Sequence, residues 1–244
     1  MLREDIKKLV ESKQKEYDEL PKRLLQIKFV MAAPISTIDE IHLDGIIAYF
    51  SLLDLFGEEF YNMQAEHLFD PPCPFEKCSN GKHFWWNASF AMASYYREYV
   101  VRWKKRWDEE HDDLVDFGNR QQKIAHKHSF FKAFDMPMVI RNAQELLFCC
   151  RGNQEEIERL LSNCHFVGKK RSQGYGEIRE IIISDTDTDW SCWHENGKPS
   201  RAIPITPEQM MDLAKKGEKI ISVGMAYKPP YWHPDNKTFC YPMK

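Results

Sequence analysis

One stretch restricts the fold more than any other: between Leu146 and Ile183 an apolar strand, a short amphipathic helix, a basic glycine-rich loop and a second apolar strand follow in succession. Leu146-Leu147-Phe148-Cys149-Cys150 reads as a buried strand that Arg151-Gly152-Asn153 ends. Gln154 to Leu161 sets Ile157, Leu160 and Leu161 on one helical face, and Asn153 stands where a cap belongs. Gly168-Lys169-Lys170-Arg171-Ser172-Gln173-Gly174-Tyr175-Gly176 follows, and then the strand Ile178 to Ile183. Strand, helix, glycine loop, strand is the order of a split unit of the ferredoxin-like type. The expected fold class is α+β, with a ferredoxin-like (RRM-type) antiparallel sheet, a glycine-rich loop at its edge and an inserted helical/hairpin element.

The remaining segments arrange themselves around that unit. Leu2, Ile6, Leu9, Val10, Tyr17 and Leu20 fall at roughly three- and four-residue spacing among charged residues, an exposed amphipathic helix that Pro21 closes. Leu24 to Ala33 partly alternates and precedes a proline, so it reads as a strand. Ile41 to Phe56 carries only His42, Asp44 and Asp54 as acidic or basic residues, which suits a buried helix. Asp70-Pro71-Pro72-Cys73-Pro74 marks an irregular turn, and Phe84-Trp85-Trp86-Asn87-Ala88-Ser89-Phe90-Ala91 does not fix its own place in the sheet. The expected organisation is an N-terminal helix over 1–22, a main domain over 23–205 with an insertion at about 95–134, and a C-terminal extension over 206–244 packed on the domain. No internal repeat is visible.

Charge narrows the partners. Lys plus Arg number 34 against 37 Asp plus Glu, a formal net charge of -3, so a generally basic coat for nucleic acid is excluded and any such contact is a local patch. No apolar run approaches 18 residues and the first residues lack a signal-peptide core, so the expectation is a soluble, cytoplasmic protein with no membrane partner. The seven cysteines are an odd number without repeated spacing, which argues for thiols rather than a disulfide framework.

The glycine loop is the local patch. Glycine lets backbone N–H groups approach an anion, Lys169, Lys170 and Arg171 neutralise phosphate, Ser172 and Gln173 can donate to phosphate or 2′-hydroxyl groups, and Tyr175 offers a face to a base. The order Gly-x-x-x-x-Gly-Lys-Ser/Thr is absent, so this is not a nucleoside triphosphate loop, nor is it the dinucleotide fingerprint. A solvated turn between helix and strand is the alternative.

Other residues invite chemistry less strongly. Arg102-Trp103-Lys104-Lys105-Arg106-Trp107 interleaves cations with indoles as a groove for single-stranded RNA does, although an exposed helix with its tryptophans on the core has the same pattern. The acidic run Asp108 to Asp113 can pair with those cations. Lys123, His126, Lys127, His128 and Lys132 extend the basic character, and His126 with His128 is a conceivable general acid and base for RNA cleavage, weighed against RNA contact or plain solvation. His42 beside Asp44 reads as a structural histidine at a helix start or as an oriented base. Cys73, Cys78 and His83 supply three ligands where zinc wants four, and turn chemistry around Pro72 and Pro74 suffices without it. Arg201, on a proline-rich strand edge, is a further RNA-binding candidate.

Cys149-Cys150-Arg151-Gly152-Asn153-Gln154-Glu155-Glu156-Ile157, Leu160-Leu161 and the loop from Gly168 to Ile178 together resemble the terminal glycine-loop region of the RAMP superfamily, the ferredoxin-like RNA-binding proteins of CRISPR systems. The likeness is strongest to subunits that bind the 5′ handle in type IV effector complexes. Residues 41–49, 84–90 and 199–204 are similar to that family too, and the resemblance spans roughly residues 24–205. The helix before Pro21 and the tail after Thr206 have no counterpart in it. What the resemblance implies is a subunit with no catalytic residue, no cofactor and no metal. Its partners would be the guide RNA (crRNA), the backbone and large subunits of an effector complex and, indirectly, the target nucleic acid, whose sequence is read by base pairing. Two rivals accompany it: a metal-independent endoribonuclease using His126 or His128, and a scaffold that touches RNA incidentally.

Overall fold

The computed structural model describes residues 3–37, 40–62, 69–116, 127, 131–215 and 222–242. Its helices are α1 (Arg3–Glu19), α2 (Leu43–Phe56), α3 (Gln154–Leu161) and α4 (Pro207–Lys215). Its strands are β1 (Arg23–Met31), β2 (Ile35–Ser36), β3 (Lys77–Ser79), β4 (Phe84–Trp86), β5 (Arg97–Lys105), β6 (Phe134–Asn142), β7 (Glu145–Gly152), β8 (Ile178–Asp185), β9 (Val223–Ala226) and β10 (Lys237–Cys240). Every strand pairing among them is antiparallel.

β1 is the axis of the fold because its side chains alternate strictly: Leu25, Ile27, Phe29 and Met31 are buried, and the residues between them are not. It lies between β7 and β8, with Ile27 opposite Phe148 on one side and Ile183 on the other. α2 and α3 cover the inner face, where Leu43, Ile47, Ile157, Leu160 and Leu161 meet the β1 and β7 side chains in one core. The outer edge of β7 is held by residues 87–92: Ser89 N donates to Cys149 O at 2.9 Å and Arg151 N to Asn87 O at 2.9 Å. The tryptophan-rich stretch that periodicity could not place therefore divides: Phe84–Trp86 pair with β3 as β4, and the residues after them are an edge companion of β7.

Local chemistry fixes the helix positions. Asn153 Oδ1 accepts from Glu156 N at 3.0 Å, capping α3, while its Nδ2 donates to Pro21 O at 3.0 Å. Arg159 of α3 forks onto Asp54 of α2, both bonds 2.9 Å, and that guanidinium holds the Asp54 carboxyl below its usual range. α1 lays Ile6 and Val10 on Leu52 and Phe56 of α2, so the N-terminal helix keeps one face in water and one on the domain.

A second sheet has the order β2-β6-β5. β5 and β6 form a long hairpin arm, in register from Arg97 opposite Asn142 to Lys105 opposite Phe134. The stretch 95–134, read from sequence as an inserted element, thus contains the outgoing strand and the connection, while the return strand runs on to Asn142. The β9–β10 hairpin and α4 follow, α4 without a buried residue. No helix among the described residues is long and apolar enough to cross a membrane.

Candidate nucleic-acid interface

The loop after α3 takes its shape from glycines that no other residue could replace. Gly176 has φ +74° and a Cβ there would stand 1.8 Å from Val167 O; Gly168 has φ +80° and a Cβ would meet Ser36 O at 2.8 Å. These close approaches let the loop dock on the β1–β2 connection, with Lys169 N donating to Ser36 O and Gly176 N to Pro34 O, both at 2.7 Å. A short 3-10 turn over Arg171–Gln173 is closed by Gln173 N to Lys170 O and Gly174 N to Arg171 O, each 2.9 Å. The amides of Lys169, Gln173, Gly174 and Gly176 are therefore committed inside the protein. This narrows the expectation that the glycines open the backbone N–H groups to an anion: those four amides do not serve one, and the loop's cationic side chains stand on the platform the glycines build.

Those side chains spread to two aromatic partners. Lys170, itself in the left-handed region at φ 61°, places its ammonium on the face of Trp103 from β5. Arg171 lies over Tyr49 of α2 at 5.7 Å, and the Tyr49 hydroxyl is 2.9 Å from that of Tyr61. Lys169, Ser172 and Gln173 are exposed and Tyr175 is half-buried. Beside the loop opens a cavity of about 1060 Å³, lined by His42, Tyr49 and Phe50 of the α2 region, Phe166, Gly168 and Arg171 of the loop, and Met225 and Lys237 of the β9–β10 hairpin. Cations at the rim and aromatic rings in the wall are the two elements that hold a sugar-phosphate chain and its bases.

The basic run on the hairpin does not act as one groove, because alternation along β5 divides it. Trp103 and Lys105 share the face that meets Lys170, whereas Arg102 and Lys104 point to the opposite face. There Asp135 receives Arg102 at 2.9 Å and Lys104 at 3.9 Å. The acid that pairs with these cations lies across the strand on β6, not in the run 108–113. Arg106, Lys127 and Lys132 are exposed, and Trp107 packs edge-on against Phe131 at 4.7 Å. Lys123, His126 and His128 lie outside the described residues.

Arg201 is corrected outright. Its side chain has no exposure: Nη2 pairs with the equally buried Asp44 at 3.1 Å and donates to Tyr227 O at 2.6 Å, and Nη1 donates to Ala88 O at 2.9 Å and to Trp86 O. Burial works against its charge and Asp44 more than offsets this, so the guanidinium stays cationic inside the protein. The Tyr231 hydroxyl donates to the other Asp44 oxygen at 2.6 Å, and burial beside that carboxylate pushes its pKa far up. This charge cannot reach RNA; it ties the first turn of α2 to the C-terminal segments that wall the cavity. His42 stacks on Tyr231 with centroids 4.3 Å apart, a packing role at the helix start.

The three ligands weighed for zinc point to different places. Cys73 is buried beside the Asp44 carbonyl, Cys78 faces Cys192, and His83 Nδ1 lies 3.3 Å from the Tyr227 hydroxyl. Among the described residues no three His, Cys, Asp or Glu side chains converge as a metal requires. Sequence reasoning found the loop but missed Tyr49 and Trp103 as its partners and Ser36 as its anchor. The aromatic content of the two segments was the available signal; their pairing with residues distant in the chain was not.

No curated protein matches the chain. A chain of the type III-B Cmr-beta complex, solved by cryo-EM bound to cognate target RNA, is similar at 10% identity and a TM-score of 0.33 over 76% of this chain and 68% of that one. A likeness of that size does not fix a fold. The family described as CRISPR type IV associated protein Csf3 matches residues 23–243. That match takes in both sheets, the glycine loop and the tail after Thr206 that the resemblance left aside, and it leaves out only α1 among the elements. The chain belongs to the Csf3 family of type IV CRISPR-associated proteins.

Proposed function

We propose that this chain is a non-catalytic RNA-binding subunit of a type IV CRISPR effector ribonucleoprotein, holding the 5′ handle of the guide RNA and so capping one end of the complex. The observation that carries the reading is that one loop sets Lys170 on Trp103 and Arg171 on Tyr49, the second pair lining a cavity large enough for more than one nucleotide. Phosphates meet the loop cations, and bases reach the aromatic wall. The backbone and large subunits complete the grip. A chain of net charge -3 has weak non-specific attraction for RNA, so affinity comes from assembly. Target recognition passes through the guide's base pairs, and the complex works in the cytoplasm.

A ferredoxin-like reading of the fold is supported by the order of residues 87–92, β7, β1 and β8 across the sheet, with α2 and α3 on one face. The opposite face carries Leu24, Gln26, Lys28, Val30, Leu147, Cys149 and Ile182, without an aromatic ring. Base stacking across the sheet, the habit of RRM domains, is therefore not the mode proposed; the loop and cavity are.

The test is co-purification of tagged protein from cells carrying its neighbouring genes, followed by sequencing of bound RNA, for the wild type and for Lys169→Ala/Lys170→Ala/Arg171→Ala. The expected result is short RNA with a uniform 5′ end, lost in the triple variant while partner subunits remain. Partners recovered with no RNA from the wild type would sink the reading. Cleavage of a repeat hairpin by the purified chain alone would convert it into a nuclease.

A further inference from the structure

All seven cysteines are free thiols, and five of them, Cys73, Cys149, Cys150, Cys164 and Cys240, are buried. The two that keep some exposure, Cys78 and Cys192, are the two that face each other, with sulfurs 4.0 Å apart. They are 114 residues apart in the chain, so the fold and not local sequence brings them together. Cys78 is the middle residue of β3, opposite Trp85 on β4. Cys192 opens the loop that ends at Arg201: its carbonyl accepts from Ser200 N at 2.9 Å, and its sulfur lies 3.2 Å from Asn87 Oδ1.

We infer that Cys78 and Cys192 form a reversible disulfide, a redox-sensitive clasp between the β3–β4 hairpin and the loop that carries Arg201. The present separation of 4.0 Å is contact between two thiols, against about 2.05 Å for the bond. The pair also divides the chemistry. Burial pushes the Cys149 thiol up to about 11 and those of Cys164 and Cys240 up to about 12, which leaves them inert. Cys192 goes the other way: the hydrogen bond from the Cys78 thiol lowers its pKa, desolvation opposes this, and the Arg201 cation adds to the lowering. The Cys192 thiol also donates to Asn87 Oδ1 at 3.2 Å, so the geometry gives neither sulfur of the pair the attacking role.

With a small disulfide such as glutathione disulfide as oxidant, the steps balance. One of the two cysteines, as its thiolate, attacks one glutathione sulfur, forming a mixed disulfide and expelling glutathione thiolate. The other then gives up its proton to water and attacks the protein sulfur of the mixed disulfide, expelling the second glutathione as thiolate. Two protein thiols are oxidised and one glutathione disulfide is reduced to two thiols.

The full-length protein, purified reduced, is exposed to glutathione disulfide, trapped with an alkylating reagent and peptide-mapped by mass spectrometry. The expected product links the peptides of Cys78 and Cys192, dithiothreitol reverses it, and the other five cysteines are alkylated only after denaturation. Separate thiols at both positions, or either one bonded to a different cysteine, overturns the inference, and this measurement needs no variant. In Cys78→Ser and Cys192→Ser no link forms between the two peptides, and glutathione is expected to stay on the remaining cysteine of the pair in at least one of the two variants; glutathione on neither overturns the inference.

Discussion

A guanidinium with no solvent contact is held by its surroundings. Asp44, the Trp86 and Ala88 carbonyls and Tyr227 O take the Nη donors of Arg201, its Nε stays without a partner among the described residues, and the Asp44 carboxylate has Tyr231 on its remaining oxygen. Arg201→Ala leaves a buried carboxylate without its countercharge, and the expected loss in urea unfolding is about 3–5 kcal/mol. Lys170 makes the opposite case. A non-glycine residue at φ 61° costs about 1–2 kcal/mol, and strain of this kind persists where something else requires the side chain. Lys170→Gly relieves the strain and removes the cation from Trp103. Unchanged or raised thermal stability with reduced RNA capture is the expected pair of results, and lowered stability would mean that the Trp103 contact holds the loop together.

At the scale of elements, alternation along β5 decides which basic residues serve the interface. Trp103 faces the loop, and Arg102 faces away, paired with Asp135. Trp103→Ala is expected to weaken guide-RNA capture by about 1–3 kcal/mol, the usual loss for one stacked base, while Arg102→Ala leaves it close to wild type. Quantifying RNA bound per assembled complex separates the two. Equal losses in both variants would put RNA on both faces of the hairpin. The arm owes its rigidity to the nine paired residues of β5 and β6 and to the short β2 pairing at its base, which carries the glycine loop on the Ser36 carbonyl. Loop and arm are joined at Ser36 and again at Lys170 on Trp103.

For the whole molecule, α1 is the element outside the family match, yet it buries Ile6, Val10 and Tyr17. Removing residues 1–20 exposes Leu52 and Phe56 of α2, and burial of this kind contributes about 1.5–3 kcal/mol per large apolar side chain. The truncated chain is expected to unfold at clearly lower urea and still to capture guide RNA in the cold, because the loop, Tyr49 and Trp103 lie elsewhere. Loss of RNA from a truncated protein that remains folded would make α1 part of the interface.

The sequence by itself determined what depends on neighbours in the chain. Alternation marked β1, the Asn153 cap and apolar face marked α3, and the glycines around three cations marked the loop, since periodicity, capping and positive φ are local physics. The family was legible for the same reason, in short motifs. Tertiary structure alone decided what those residues face. Arg201 looked like a surface cation until Asp44, 157 residues away, was seen to enclose it. The amides of Lys169 and Gly176 looked free until the carbonyls of Ser36 and Pro34 claimed them, and the basic run of β5 looked continuous until pairing with β6 fixed its two faces. Burial and charge compensation are set by residues distant in the chain, so a pattern confined to a few positions marks the element and leaves its partners to the packed fold.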